Sequence, residues 1–418
     1  MQAPGNKVMS MEHPKKILFI HHGKGLGGAP LSLLYLVQQL PKHLYQPVVA
    51  FLHHSEAVSL FKKNNIPICG PINWNDFPHT KIWHFKWYHL HHLCRAILHT
   101  FVTFFFIAPR LYQQEQPALV HLNTSSLIAW AGAAWLRNIP VVWHIREPLA
   151  DGYLGLRKAF IRFCVEIFAI KIIAISQHDG EPWAKSKKLS IIYNAVPADR
   201  FDYTITATTF KQEHLAANQP SVLFVGGCSQ EKGTLPLLKS FELVLKQLPT
   251  TKLLLAGYMP IENNKKKQLW TPAIRYGEAV KKIIKKYPNN IEILGIIEDI
   301  PTVMAAADVI VFPATVGHFA RPIIEAGFMK KPVVASRLAP LEELVIDQKT
   351  GLLITTQDNQ AWQQAMVLLL SNKEKRLCMG EAAYAFCSER FSLPTQRDKI
   401  AKIYATILKG DDNEPLGA

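Results

Sequence analysis

Ten short apolar runs recur along the chain with helix-length stretches between them. They are "KILFI", "PVVAFL", "ALVHL", "PVVWHI" and "IIAIS", followed by "SVLFVGG", "KLLLAG", "IEILG", "VIVFPA" and "PVVAS". Each is continuous in Val, Ile and Leu, with little alternation, and each is bounded by Gly, Pro or Asn. Strands read this way when helices cover both faces of a parallel sheet and leave neither face wet. The pattern predicts an α/β fold of the doubly wound kind.

The alternation breaks once. After "SIIYNAVPADRF" comes the polar stretch "DYTITATTFKQEHLAANQP", and a fresh strand–helix series starts at Ser221. This predicts two Rossmann-like domains, over residues 14–205 and 206–388. "RFSLPTQRDKIAKIYATILK" predicts a last helix within 389–410, expected to pack back on the N-terminal domain, and "GDDNEPLGA" reads as a disordered tail. At 418 residues the chain is long enough for two domains of ordinary size.

The segment 79–112 departs from the regular alternation by mixing Trp, Phe, His, Lys and Arg before an apolar run of about a dozen residues. That run is shorter than the roughly 18 residues of a spanning helix, so the segment is expected not to cross a membrane. Two readings stay open for it: an interfacial helix whose aromatics settle among lipid headgroups, or an amphipathic helix packed on the sheet.

Composition narrows the partners. A net charge of +15 calls for an anionic one. No RNP-like aromatic signature, zinc finger or recognition helix accompanies that charge, so nucleic acid is not expected. The six cysteines lie scattered without a C-x-x-C pair, which suggests neither a disulfide framework nor a zinc site. The chain's start has no apolar h-region, so a cytoplasmic protein is expected, peripheral at the membrane face if segment 79–112 is interfacial.

Three strand-to-helix turns carry candidate chemistry. In the first, "HHGKGLGGAP", Gly23, Gly25 and Gly28 satisfy G-x-G-x-x-G ahead of a helix, a layout that lets backbone amides approach a diphosphate. The second strand, "YQPVVAFLHHS", ends without the acidic residue a dinucleotide's ribose would need, which argues against a nicotinamide enzyme. In "VGGCSQEKGTLPLL", Lys232 stands at a helix N-terminus where it can neutralise a phosphate. In "FPATVGHFARPIIEAG", Glu325 lies one turn inside a helix opened by Pro322 and can accept hydrogen bonds from ligand hydroxyls.

Taken in order, "GLGGA", "VHLNTSS", "PVVWHIRE", "IIYNAVPADRF", "VGGCSQEKGTLPLL", "VIVFPA", "RPIIEAG…KPVVAS" and "EELVIDQKTGLL" resemble the retaining GT-B glycosyltransferases of the group-1, sucrose-synthase-like type, family 4. The resemblance runs from about residue 16 to 410. It implies two Rossmann-like domains facing across a cleft, and an enzyme moving a sugar from a nucleotide-diphosphate donor to a hydroxyl acceptor. It further implies no cofactor, with a UDP- or GDP-sugar as substrate, and a polysaccharide or lipid-linked acceptor. By the same resemblance, Gly27 and Gly28 face the donor diphosphate, His144 contacts the transferred sugar, Lys232 binds the diphosphate and Glu325 binds the ribose hydroxyls. Glu343 matches a common acidic position to which no role attaches. No metal is expected, in keeping with the lack of any Asp-x-Asp in the chain.

Two positions depart from the family pattern. The first glutamate of its E-x7-E signature falls on Gly317, and its arginine after the first strand of the second domain falls on Gly227. His318, next to the vacant carboxylate position, and Arg321, a cation just before the helix, are the expected replacements, with His318 joining His144 as a catalytic candidate. The alternative is a catalytically inactive sugar-nucleotide-binding or scaffolding subunit.

Overall fold

The computed structural model describes residues 13–22, 25, 27–72, 90–151, 153–259 and 272–409. Gly23, residues 79–89 of the aromatic and basic segment, and the tail from 410 lie outside the described residues. The chain forms two compact units. The first comprises residues up to Ile175, Asp179–Ile192 and the segment from Arg397; the second comprises Ser176–His178 and Tyr193–Gln396.

The first unit is a seven-stranded parallel sheet. Its strands are β1 (Lys15–His21), β2 (Tyr45–Phe51), β3 (Ile68–Cys69), β4 (Leu119–Leu122), β5 (Val141–Ile145), β6 (Lys171–Ala174) and β7 (Leu189–Ile191), in the order β3-β2-β1-β4-β5-β6-β7. Alternation along β1 explains the double winding. Leu18 and Ile20 enter one core with Trp130, Trp143 and Ile161, whereas Ile17 and Phe19 enter the other with Leu33, Val37 and Phe61. The second of these cores also takes Ile400 and Tyr404 from the last helix, Leu393–Lys409. Each fully buried apolar side chain of that kind contributes about 1.5–3 kcal/mol, so the part of this helix from Arg397 on is an integral part of the first unit.

The second unit is a six-stranded parallel sheet in the order β10-β9-β8-β11-β12-β13. Its strands are β8 (Ser221–Val225), β9 (Lys252–Ala256), β10 (Ile291–Gly295), β11 (Val309–Phe312), β12 (Val333–Ser336) and β13 (Gly351–Ile354). Both sheets reverse direction of winding beside their first strand, the place where open α/β sheets bind ligands at the strands' carboxyl ends.

The aromatic and basic segment is helical where it is described. Leu90–Val102, a π-helical turn at Thr103–Ile107 and Ala108–Glu115 follow one another without a break. The length expected for it is corrected here: Cys94–Glu115 gives 22 residues at a mean hydropathy of 1.3, enough by length and composition to cross a membrane. One face nevertheless packs on the first unit, where the Phe104 ring lies over Gly132 and Tyr112 Oη donates to the Trp130 carbonyl at 2.8 Å. The opposite face leaves Phe101, Phe105 and Phe106 each more than half exposed.

Candidate active site

In the first unit, polar side chains gather where β1, β4 and β5 end, and they are buried together. His21, His121, Asn123 and His144 are fully buried and Arg146 nearly so. The strand period puts His144 and Arg146, the residue just past β5, on the same side, while the motifs "VHLNTSS" and "WHIRE" are tied together by Glu147. Its Oε1 accepts from Thr124 Oγ1 at 2.7 Å, from Ser125 N at 3.0 Å and from Ser125 Oγ at 2.8 Å.

The hydrogen bonds decide where the His144 proton sits. Arg146 Nη2, which can only donate, lies 3.4 Å from His144 Nδ1, so Nδ1 is an acceptor. His121 Nε2, 3.1 Å from the same Nδ1, must then carry a proton and donate it. That leaves His121 Nδ1 to accept from Tyr404 Oη at 2.6 Å. Burial, reinforced by the Arg146 charge, pushes both imidazoles well below their usual pKa and keeps them neutral. His144 therefore carries its one proton on Nε2, and Nε2 is buried without a hydrogen-bond partner among the described residues. Such an N–H has its bond still to make, with a ligand oxygen as the fitting partner. On the other side, Arg146 Nε donates to Asn123 Oδ1, and Asn123 Nδ2 donates to His21 Nδ1 at 3.0 Å. Of this set the sequence reading picked out only His144.

Gly27 and Gly28 sit at the start of the helix Gly28–Gln39, with Gly27 as its N-cap and no side chain covering the exposed amides. Nothing within 4 Å would meet a side chain at Gly27. Among the described residues, none fills the space beside this backbone.

The second unit brings Lys232 and His318 into contact. Lys232 Nζ lies 2.6 Å from His318 Nε2, and His318 Nδ1 lies 2.9 Å from the Val316 carbonyl. The carbonyl can only accept, so the His318 proton is on Nδ1 and Nε2 accepts from the ammonium. Burial and the Lys232 charge hold the His318 pKa down at about 4, and burial also lowers that of Lys232. The tight turn around them is set by Gly233, whose φ is +73° and where a Cβ would stand 1.7 Å from the Pro313 carbonyl oxygen.

Arg321 and Glu325 also meet, as a buried i,i+4 ion pair with Nη2 to Oε1 at 2.8 Å. Burial raises the Glu325 pKa, while Arg321 and Arg200 pull it back. Arg321 was expected as a cation for phosphate; in the structure this nitrogen is directed at the carboxylate inside the same helix, Arg321–Phe328. Glu343 gains a defined place as well. It accepts from the backbone N–H groups of Gln177 at 2.7 Å and His178 at 3.1 Å and from Tyr193 Oη at 3.0 Å.

The two departures are built into the backbone. A Cβ on Gly317 would stand 1.9 Å from the Ala339 carbonyl oxygen, and Gly227, at φ +77°, would put one 2.8 Å from the Tyr258 carbonyl oxygen. Neither position has room for the carboxylate or guanidinium stem of the family pattern. Among the described residues, no group of three or more His, Cys, Asp or Glu could hold a metal ion.

Comparison with known proteins bears on both units. The family described as "Glycosyl transferases group 1" matches residues 206–386, and "Glycosyltransferase Family 4" matches residues 26–200. The chain is 22% identical to the capsular polysaccharide biosynthesis glycosyltransferase CapM of Staphylococcus aureus, over 73% of this chain and 80% of that protein. It is 23% identical to the Escherichia coli UDP-Gal:alpha-D-GlcNAc-diphosphoundecaprenol alpha-1,3-galactosyltransferase, over 72% and 78%. With a D-inositol 3-phosphate glycosyltransferase of Corynebacterium urealyticum the identity is 33%, but only about a quarter of either chain takes part (26% of each). Among solved structures, Anabaena HepE in complex with UDP and glucose superposes with a TM-score of 0.74 at 22% identity, covering 94% of this chain and 100% of that one.

Proposed function

This chain belongs to the group 1 glycosyl transferases of the GT-B fold, and from that premise we propose that it is a retaining, metal-independent enzyme acting on a nucleotide-diphosphate sugar. The observation that carries the proposal is the environment of Lys232. Its ammonium is largely buried, its hydrogen-bond partner is the neutral imidazole of His318, and it stands at the N-terminus of the helix Thr234–Gln247. Desolvating a cation beside positive helix amides is unfavourable unless an anion arrives, and a diphosphate is the anion that fits.

The remaining roles follow from donor and acceptor chemistry. Glu325 accepts from the ribose hydroxyls, with Arg321 holding the carboxylate ionised and oriented. His318 aims the Lys232 ammonium rather than acting as a base, since its free lone pair is already taken. The His144 Nε2–H donates to a substrate oxygen. In the transfer, the acceptor oxygen forms its bond to the anomeric carbon on the face from which the diphosphate leaves. The bond from that carbon to the phosphate oxygen breaks, and the acceptor proton passes to that departing oxygen. The protein's part is positioning and charge stabilisation, and no step needs a metal ion or cofactor.

The acceptor is a polysaccharide or a lipid-linked sugar. CapM is named for capsular polysaccharide biosynthesis, and the E. coli relative for a sugar on diphosphoundecaprenol. A lipid-linked acceptor implies work at a cytoplasmic membrane face, and the exposed phenylalanines of Cys94–Glu115 together with the net charge of +15 suit peripheral contact with anionic lipid.

A panel of UDP- and GDP-sugars tests the assignment. One donor is expected to release its nucleotide slowly in the absence of acceptor and to raise the melting temperature. Lys232→Ala is expected to weaken that donor at least tenfold, the loss of one or more charge-assisted hydrogen bonds. Thermal stabilisation without release from any donor, with lipid acceptors present, would instead identify an inactive sugar-nucleotide-binding subunit.

A further inference from the structure

At the far edge of the first sheet from the buried histidines lies a half-open groove of about 1430 Å³. It follows the edge strand β7 and the starting ends of β5 and β6. Its floor is apolar, with Ile139, Phe168 and Ile191 from the sheet side and Ile403 and Ile407 from the last helix. Trp135, half exposed, lines it as well, its ring tilted against that of Phe168 with centroids 5.8 Å apart. Four lysines, Lys171, Lys188, Lys399 and Lys402, line it, and no Asp or Glu does.

An apolar trough lined with ammonium groups and no carboxylate is complementary to an amphiphile with a negative head. A second feature runs into it. The helix Leu156–Phe168 already buries one face, yet Leu156, Phe160, Phe163 and Ile167 are 70, 48, 63 and 41% exposed. Their spacing of four, three and four residues puts them on a single outward stripe, and Ile167 belongs to both the stripe and the groove. A helix with apolar residues on its outer face as well is suited to lie in a lipid interface.

We propose that this groove binds an anionic phospholipid of a bilayer surface, one acyl chain lying along Ile139, Phe168 and Ile403 and the phosphate meeting Lys171, Lys399 and Lys402. The Leu156–Phe168 stripe then enters the same leaflet beside it. The inference rests on the reading that the chain works at a membrane. It adds a lipid site separate from the polar cluster around His144, because the lining residues include none of that cluster. The lipid here is a bound component of the docking surface and takes no part in sugar transfer.

Vesicles of phosphatidylcholine, with and without 30% phosphatidylglycerol carrying brominated acyl chains, supply the probe. The full chain is expected to bind only the anionic vesicles, and bromine is expected to quench a fluorescence component that Trp135→Phe removes. The triple variant Lys171→Glu, Lys399→Glu, Lys402→Glu is expected to lower binding on the order of a hundredfold. A control with the same change in charge, Lys282→Glu, Lys373→Glu, Lys375→Glu in the second unit, is expected to lower it less than threefold. Phe163→Ser, a change at an exposed site, is expected to weaken binding even at high salt, which checks the apolar part without charge reversal. Equal losses from the two triple variants, quenching that survives Trp135→Phe, or no preference for anionic vesicles would each overturn the proposal. Nucleotide release from the donor in solution, measured on the same variants, is expected to be unchanged; loss of release in the unaltered chain would count against the transferase reading and leave the lipid result standing.

Discussion

Arg146 and His121 both donate to His144 Nδ1, and the series of donors begins at a hydroxyl on the last helix. Tyr404→Phe removes that hydroxyl and keeps the buried ring. Stability is expected to fall by about 1 kcal/mol, the usual worth of one hydrogen bond. His121 is then free to place its proton on Nδ1, which deprives His144 of one of its two donors. Nitrogen chemical shifts of the His144 ring are expected to show loss of the single Nε2–H form, and kcat for donor turnover is expected to drop severalfold with KM for the donor unchanged. An unaltered spectrum would show that Arg146 alone holds the tautomer. None of this could be read from the sequence, where His121 and Tyr404 are 283 positions apart and nothing in "VHLNTSS" points to a partner on the last helix. His144 was legible because it sits in "WHIRE"; its proton was not, since tautomers are set by neighbours that only folding supplies.

Strand-to-helix turns carry most of the candidate site residues, and here the sequence was informative in one respect and silent in another. The long apolar runs gave their strands away, because a buried parallel strand needs little besides continuous Val, Ile and Leu. The strands Ile68–Cys69 and Leu189–Ile191 did not, since two or three residues carry too little pattern to separate from a loop, and Gly351–Ile354 was passed over although its "GLLI" is as apolar as the runs that were read. The family motifs singled out Lys232, Glu325 and the vacant position at Gly317 as candidates, but not the contacts of Lys232 with His318 or of Arg321 with Glu325. Nor did they show why Gly317 is glycine. Restoring the family carboxylate by Gly317→Glu is expected not to enhance donor turnover. With the Ala339 carbonyl oxygen 1.9 Å from the new Cβ, the turn must move, at a cost of more than about 2 kcal/mol in chemical denaturation. A stable, more active Gly317→Glu protein would mean that the turn yields easily and that His318 is no substitute.

For the molecule as a whole, the buried neutral imidazoles link stability to pH. His318 has a folded pKa of about 4, and those of His121 and His144 are also well below the ordinary 6.5. As pH falls through about 6.5, the unfolded chain takes up protons that the folded chain refuses, so the stabilisation is fully present above that pH. It is lost progressively on the way down to about 4, where His318 itself protonates and can no longer accept from Lys232. The melting temperature is expected to decline steadily between pH 6.5 and 4, and His318→Gln is expected to flatten the slope over that interval. A melting temperature independent of pH there would contradict the assigned neutral state. Donor affinity, by contrast, is expected to gain no pH dependence from His318 between pH 8 and 5.5, where that imidazole stays neutral.

The last helix also bears on the order in which the protein is made. The second unit runs from Tyr193 to Gln396 almost without interruption, whereas the first leaves off at Ile192 and resumes at Arg397. A ribosome therefore delivers every strand of the first sheet, and then the whole second unit, before Ile400 and Tyr404 emerge to close the first unit's second core. Throughout that interval Tyr45 lacks the Tyr404 ring that packs against it, and His121 lacks the hydroxyl that orients it. The half of the enzyme that begins first is finished last.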